Sequence, residues 1–139
     1  LVDNLNLLQI LEENSMTIVG DDVVAESGQY RTDAPVSGPS NLDRLVAKFT
    51  NTGDVSMLLD PERHREVALV DLAKERRADG VLIVLTKFCD PEEFDLPRLR
   101  KAVKDAGLKE VTIEADRQMD RFDQAQTALE TFHDVLAYA

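Results

Sequence analysis

Val81-Leu82-Ile83-Val84-Leu85-Thr86 is the most apolar stretch of the chain, preceded by Gly80 and followed by Lys87-Phe88-Cys89-Asp90-Pro91. An unbroken β-branched and aliphatic run of this length fits a strand covered on both faces, which predicts the central strand of a parallel sheet. Cys89 then falls just beyond its carboxyl end.

Working outward, Gly80 supplies the turn into this strand from a helix that runs to about Ala78, with Asp60-Pro61 as its start signal and Leu69, Leu72 and Ala73 inward. Downstream, after the Pro-marked segment from Pro91 to Pro97, comes a helix with Leu99, Ala102, Val103 and Ala106 inward, ended by Gly107. Val111, Ile113 and Ala115 alternate with Thr112 and Glu114, as in a strand nearer an edge. Phe122, Ala125, Leu129, Phe132 and Leu136 repeat at intervals of three and four, the stripe of a packed helix.

Upstream, Leu5, Leu8 and Leu11 place a helix over residues 3–14, and Thr17 to Val24 reads as a further strand ending near Asp21-Asp22. Residues 27–40 show no periodicity. Ser40 and Asp43 stand at capping-box spacing before a helix with Leu42, Leu45, Val46 and Phe49 on one face, stopping near Gly53. Alternating helices and apolar strands predict an α/β fold: a doubly wound, flavodoxin- or Rossmann-like parallel sheet with flanking helices. Its carboxyl edge would gather Asp21, Asp22, Lys87, Cys89 and Asp116, where such sheets meet ligands.

Composition narrows the function. The 139 residues are 43% hydrophobic and 31% charged, the balance of one globular domain. A net charge of −11 argues against a nucleic-acid partner, because phosphate affinity rests on Lys and Arg. No apolar run nears the roughly 20 residues that span a bilayer. A single cysteine excludes an intrachain disulfide and fits a reduced, cytoplasmic setting. The start at Leu1, directly in an amphipathic segment, is expected of a piece of something longer.

A lone thiol is most often a small apolar filler, yet a thiolate is also a nucleophile and a soft metal ligand. One sulfur cannot complete a tetrahedral site, and His64 and His133 are remote in sequence. Asp21 and Asp22 resemble the acidic pair of receiver domains, but Thr86 and Lys87 are neighbours on one strand here, which that fold does not allow; bonding to loop amides is the simpler role. Glu92, Glu93 and Asp95 suit the positive end of a helix without further function. Gly-rich phosphate loops of the common spacings are missing from the sequence.

The stretch from Ala78 to Pro97, above all Lys87-Phe88-Cys89-Asp90-Pro91 followed by Glu93-Phe94-Asp95, resembles a signature of the 2-hydroxyacyl-CoA dehydratase and benzoyl-CoA reductase family, which includes the D-component of 2-hydroxyglutaryl-CoA dehydratase. Glu114, Asp116 and Gln118 match the strand end that follows, and Asp21-Asp22 the earlier acidic pair. Two stretches depart from the family's pattern: Gln124-Ala125-Gln126-Thr127-Ala128, and the loop at 26–30.

The resemblance implies that residues 1–139 form one α/β domain, the excised C-terminal domain of a larger subunit, inactive alone. It also implies that Cys89 is the last of three cysteines holding a 4Fe-4S cluster. Asp21, Asp22, Lys87, Asp90, Glu114 and Gln118 would then line the substrate or the cluster edge. A homologous second subunit, an ATP-dependent electron-donating activator protein and an acyl-CoA substrate are the implied partners. The implied chemistry is one-electron radical work on the thioester, either dehydration of a 2-hydroxyacyl-CoA or reduction of benzoyl-CoA. The competing reading from another class is a flavodoxin-like binding or regulatory module in which Cys89 merely packs.

Overall fold

The computed structural model describes residues 5–23, 27–52, 62, 64–116 and 123–138. In chain order the elements are α1 (Leu5–Glu13), α2 (Ser27–Tyr30), α3 (Asn41–Asn51), α4 (His64–Glu75), β1 (Gly80–Thr86), α5 (Asp90–Asp105), β2 (Lys109–Ala115) and α6 (Asp123–Ala137). The expected helix start at residue 3 and the signals at Gly53, Asp60-Pro61 and Phe122 lie outside the described residues.

β1 and β2 pair in parallel, from Gly80 opposite Lys109 to Thr86 opposite Ala115. Parallel neighbours cannot be joined by a hairpin, and α5 is the crossover that returns the chain to the same edge. Leu7 and Leu11 of α1, Ile113 and Ala115 of β2, and Ala125 and Leu129 of α6 form one buried cluster, with Leu82 and Val84 against it. Strand alternation sends Leu85 the other way, toward the side of α5, whose Leu99 and Val103 are buried. The chain is thus α/β, with helices on both faces of a small parallel sheet.

Several sequence expectations need correction. The segment 17–24 is not a strand: residues 17–23 pair with nothing in a sheet, and Ile18 and Val19 are exposed, while Val24 lies outside the described residues. At the end of the segment the Asp21 carboxylate accepts from the backbone N–H groups of Val23 and Ser27 at 3.2 and 3.4 Å, a side-chain bond that takes the Val23 amide from any ladder. β1, expected at the centre of a larger sheet, is consequently one of two strands among the described residues.

Gly80 is not the turn after α4. That reversal falls to Arg77, held at φ +53°, with Ala78 N–H reaching the Ala73 carbonyl at 2.9 Å and Arg77 N–H the Lys74 carbonyl at 3.1 Å. Of the three residues expected inward on α4, only Ala73 is fully buried. Gly107, by contrast, does close α5 with φ +77°, as its position foretold. That helix begins earlier than expected, at Asp90, with Pro91 in its first turn and Pro97 inside it.

Residues 27–40 contain the short α2. α3 is capped as expected, Asp43 N–H donating to the Ser40 hydroxyl at 3.2 Å. Its apolar face, Leu42, Leu45, Val46 and Phe49, is 51–74% exposed, while Arg44, Ala47 and Lys48 are half-covered.

Gly80 is required for packing. A Cβ there would meet Phe132 Cζ at 2.6 Å and Leu136 Cδ2 at 3.0 Å, because α6 lies directly on the start of β1. Gly80→Ala is expected to destabilise the fold by about 1–3 kcal/mol through overpacking. Urea unfolding checks this, and an unchanged midpoint would contradict the close approach.

Candidate functional site

The chain leaves β1 through a tight turn. Lys87 N–H extends the ladder to the Ala115 carbonyl at 3.0 Å, and Cys89 N–H donates back to Thr86 at 3.1 Å. Between them Phe88 takes a left-handed conformation, φ +63°, with its ring 89% exposed. A bulky residue in that region costs roughly 1–3 kcal/mol, so the turn around it is held by its surroundings. Cys89 follows as the N-cap residue of α5, half-buried and free of any disulfide, its carbonyl accepting from Glu93 N–H at 3.0 Å. Asp90, Glu92 and Glu93 stand in the helix's first turn, at its positive end.

Asp22 reaches the same end of the sheet through an arginine that sequence reasoning missed. Arg65, on the first turn of α4, lies 3.5 Å from Asp22, 3.2 Å from Glu92 and 3.2 Å from Asp95, with its side chain 13% exposed. Arg31 adds a 2.7 Å pair to Asp22 and donates to the Asp21 carbonyl and the Ser27 hydroxyl. Nothing local in the sequence announces this network, since Arg65 is 27 and 30 residues from its partners on α5. Burial opposes the Arg65 charge, but Glu92 and Asp22 outweigh it and raise its pKa, so the guanidinium stays ionised. Deleting it would take the shared cation from Glu92 and Asp95 and leave Asp22 to Arg31, which destabilises this end of the chain.

Among the candidate residues, Lys87, Cys89 and Asp90 share one turn, and Asp22 is tied to the α5 end through Arg65. Asp21 turns instead into its own loop, capping Val23 and Ser27. Glu114 and Asp116 are exposed at the carboxyl end of β2, and Gln118 lies outside the described residues. Phe88, quoted within the motif but not as a candidate, joins the group by its left-handed backbone.

As a metal centre, the arrangement offers one soft ligand. Among the described residues no group of three or more His, Cys, Asp or Glu side chains is placed to hold a metal ion. A half-buried thiol at a helix N-terminus suits a soft, cationic centre as one anchor of several, and does not suit a site built from this chain alone.

An α/β chain that presents one cysteine in a strained turn between a parallel strand and its crossover helix has the form of a component of a larger assembly. Residues 1–136 match the family described as 2-hydroxyglutaryl-CoA dehydratase, D-component, and the chain belongs to it. The chain is 47% identical over 136 residues to the (R)-phenyllactyl-CoA dehydratase beta subunit of Clostridium sporogenes, covering 98% of this chain and 36% of that one. It is 35% identical over 133 residues to the (R)-2-hydroxyglutaryl-CoA dehydratase subunit beta of Acidaminococcus fermentans, covering 94% and 35%. With the lactoyl-CoA dehydratase subunit beta of Anaerotignum propionicum it shares 32% over 130 residues, again 94% and 35%. The chain spans about a third of the length of these relatives. Among the described residues no helix is long and apolar enough to cross a membrane.

The loop that carries the acidic pair titrates with a fixed sign. Burial alone would raise the Asp21 pKa, but the Ser27 side chain, the backbone N–H groups of Val23 and Ser27, and Arg31 together lower it below 3.8. A depressed carboxylate stabilises the fold above its unfolded pKa, and that contribution is lost as pH falls through the lower folded value. Carbon-13 NMR of the Asp21 carboxyl should therefore show a midpoint below 3.8, and a midpoint at or above 3.8 would contradict the loop geometry.

Proposed function

We propose that this chain is the C-terminal domain of a longer dehydratase subunit, in which Cys89 is one of three thiolates holding a 4Fe-4S cluster. The observation that carries this reading is the placement of Cys89: a half-buried free thiol, beyond the end of β1 and at the N-cap of α5, in a chain related throughout to dehydratase beta subunits. In the full subunit we take the β1–β2 pair to be part of a doubly wound, flavodoxin-like sheet. The substrate is a 2-hydroxyacyl-CoA, favoured over benzoyl-CoA because all three relatives are named as dehydratases of hydroxyacyl-CoA type. A homologous second subunit and an ATP-dependent electron-donating activator complete the assembly, in the reducing cytoplasm.

When bound, the cluster supplies one-electron chemistry and a Lewis-acidic iron for a substrate oxygen. The chain's own residues do the rest of the work proposed for it. The Thr86–Cys89 turn holds the half-buried thiol just beyond the end of β1, and the first turn of α5 offers its positive end to the charge there. Lys87, exposed beside it, supplies a cation suited to an anionic group of the thioester substrate. Asp90, Glu114 and Gln118 are the further candidates for the substrate or cluster edge, with Asp22 behind them holding Arg65. Asp21 serves the loop that presents Asp22.

Cys89→Ser in the full-length subunit tests this. A serine hydroxyl stays protonated near neutral pH and matches iron poorly, yet is close in size to the thiol. Iron content and activator-dependent turnover should both fall at least tenfold, on the order of the loss seen for a metal-site change, with circular dichroism unchanged. Full iron and full turnover in the variant would reduce Cys89 to packing. The isolated chain, with its one thiolate, should stay colourless after anaerobic treatment with iron and sulfide.

A further inference from the structure

α5 is two half-helices with different anchors. Its buried side chains, Leu99 and Val103, both follow Pro97, and no residue from Asp90 to Leu96 is buried; Phe94 is almost fully exposed. Pro97 has no N–H to give the Glu93 carbonyl, so the backbone ladder is interrupted between the halves. The half that begins at Cys89 thus has no fully buried side chain. Among the described residues Arg65 ties it to the rest of the chain by ion pairs, gripping Glu92 and Asp95 from α4 and itself braced by Asp22.

We infer that Arg65 is the positioning residue for Cys89: its planar fork clamps the part of α5 before Pro97 to α4 and to the Asp22 loop, and so fixes where the thiol stands. The fork geometry matters because one guanidinium serves three carboxylates on two segments, Glu92 and Asp95 of α5 and Asp22 of the preceding loop, which a single ammonium cannot do equally well. The strained Phe88 turn on the other side of Cys89 agrees with this, since a left-handed aromatic persists only where both flanks are held. The consequence for iron rests on the reading of Cys89 as a cluster ligand; the clamp itself does not.

Amide hydrogen exchange on the chain, with Arg65→Met and Arg65→Lys, reads the clamp directly. In Arg65→Met the amides of Glu93, Phe94, Asp95 and Leu96 should exchange about tenfold faster or more, with residues 99–105 unchanged, and Arg65→Lys should fall between. The rate of Cys89 alkylation by iodoacetamide, unambiguous with one cysteine, should change several-fold in the same order, an effect that follows from local opening. Should Arg65→Met unfold the chain entirely, Arg65→Lys decides. Unchanged exchange at 93–96 in Arg65→Lys, or an equal rise along the whole chain, overturns the inference, as does an unchanged alkylation rate. In the full-length subunit, iron retention should drop in Arg65→Met and recover in part in Arg65→Lys, and equal iron in both variants and the parent would count against positioning. A Cys89→Ser subunit that keeps its iron would overturn the cluster reading while leaving the exchange result standing.

Discussion

The parallel ladder between β1 and β2 is the constraint on which the other features depend. Because its register runs from Gly80 opposite Lys109 to Thr86 opposite Ala115, both strands end at the same level. The chain must then turn away at residue 87 and cross back through α5. That single topological demand puts Cys89 at a strand end and a helix start at once, where its backbone N–H is held by Thr86 and its carbonyl by Glu93. α1 and α6 close one face of the strand pair and α5 the other, so the ladder is buried enough to hold a strained turn at its end.

What was legible in the sequence was whatever has a local period. β1, β2 and α6 could be read because their apolar residues repeat every one, two, or three to four positions, and Ala125, Leu129 and Phe132 are buried as that repeat requires. The capping of α3 and the closing role of Gly107 were readable because each depends on one residue type at one spacing. Residues 17–23 misled because β-branched composition favours a strand only when a neighbour completes its hydrogen bonds, and no strand among the described residues lies beside them. α3 showed its apolar stripe in sequence but not which way the stripe faces, since periodicity reports amphipathicity and not what covers it.

The site divides in the same way. Lys87, Cys89 and Asp90 were singled out together because they form one contiguous motif. Arg65 was not, because an ion-pair hub is made of side chains from α4, α5 and a loop that have no sequence relation to one another. Phe88 was passed over because left-handed backbone is ordinarily marked by Gly or Asn, and here it is borne by an aromatic. An acidic chain with net charge −11 has reason to bury one of its cations among three carboxylates: the hub concentrates charge pairing where the core does not reach.

The central claim is that the thiol at the end of β1 is a ligand to iron. Diffraction from anaerobically grown crystals of the full subunit complex, measured above and below the iron edge, addresses it directly. The account predicts an anomalous iron peak within bonding distance of Cys89 Sγ, shared with thiolates from parts of the subunit beyond this chain. A Cys89 Sγ packed among carbon atoms with no iron beside it, in crystals whose iron peaks lie elsewhere, would contradict it.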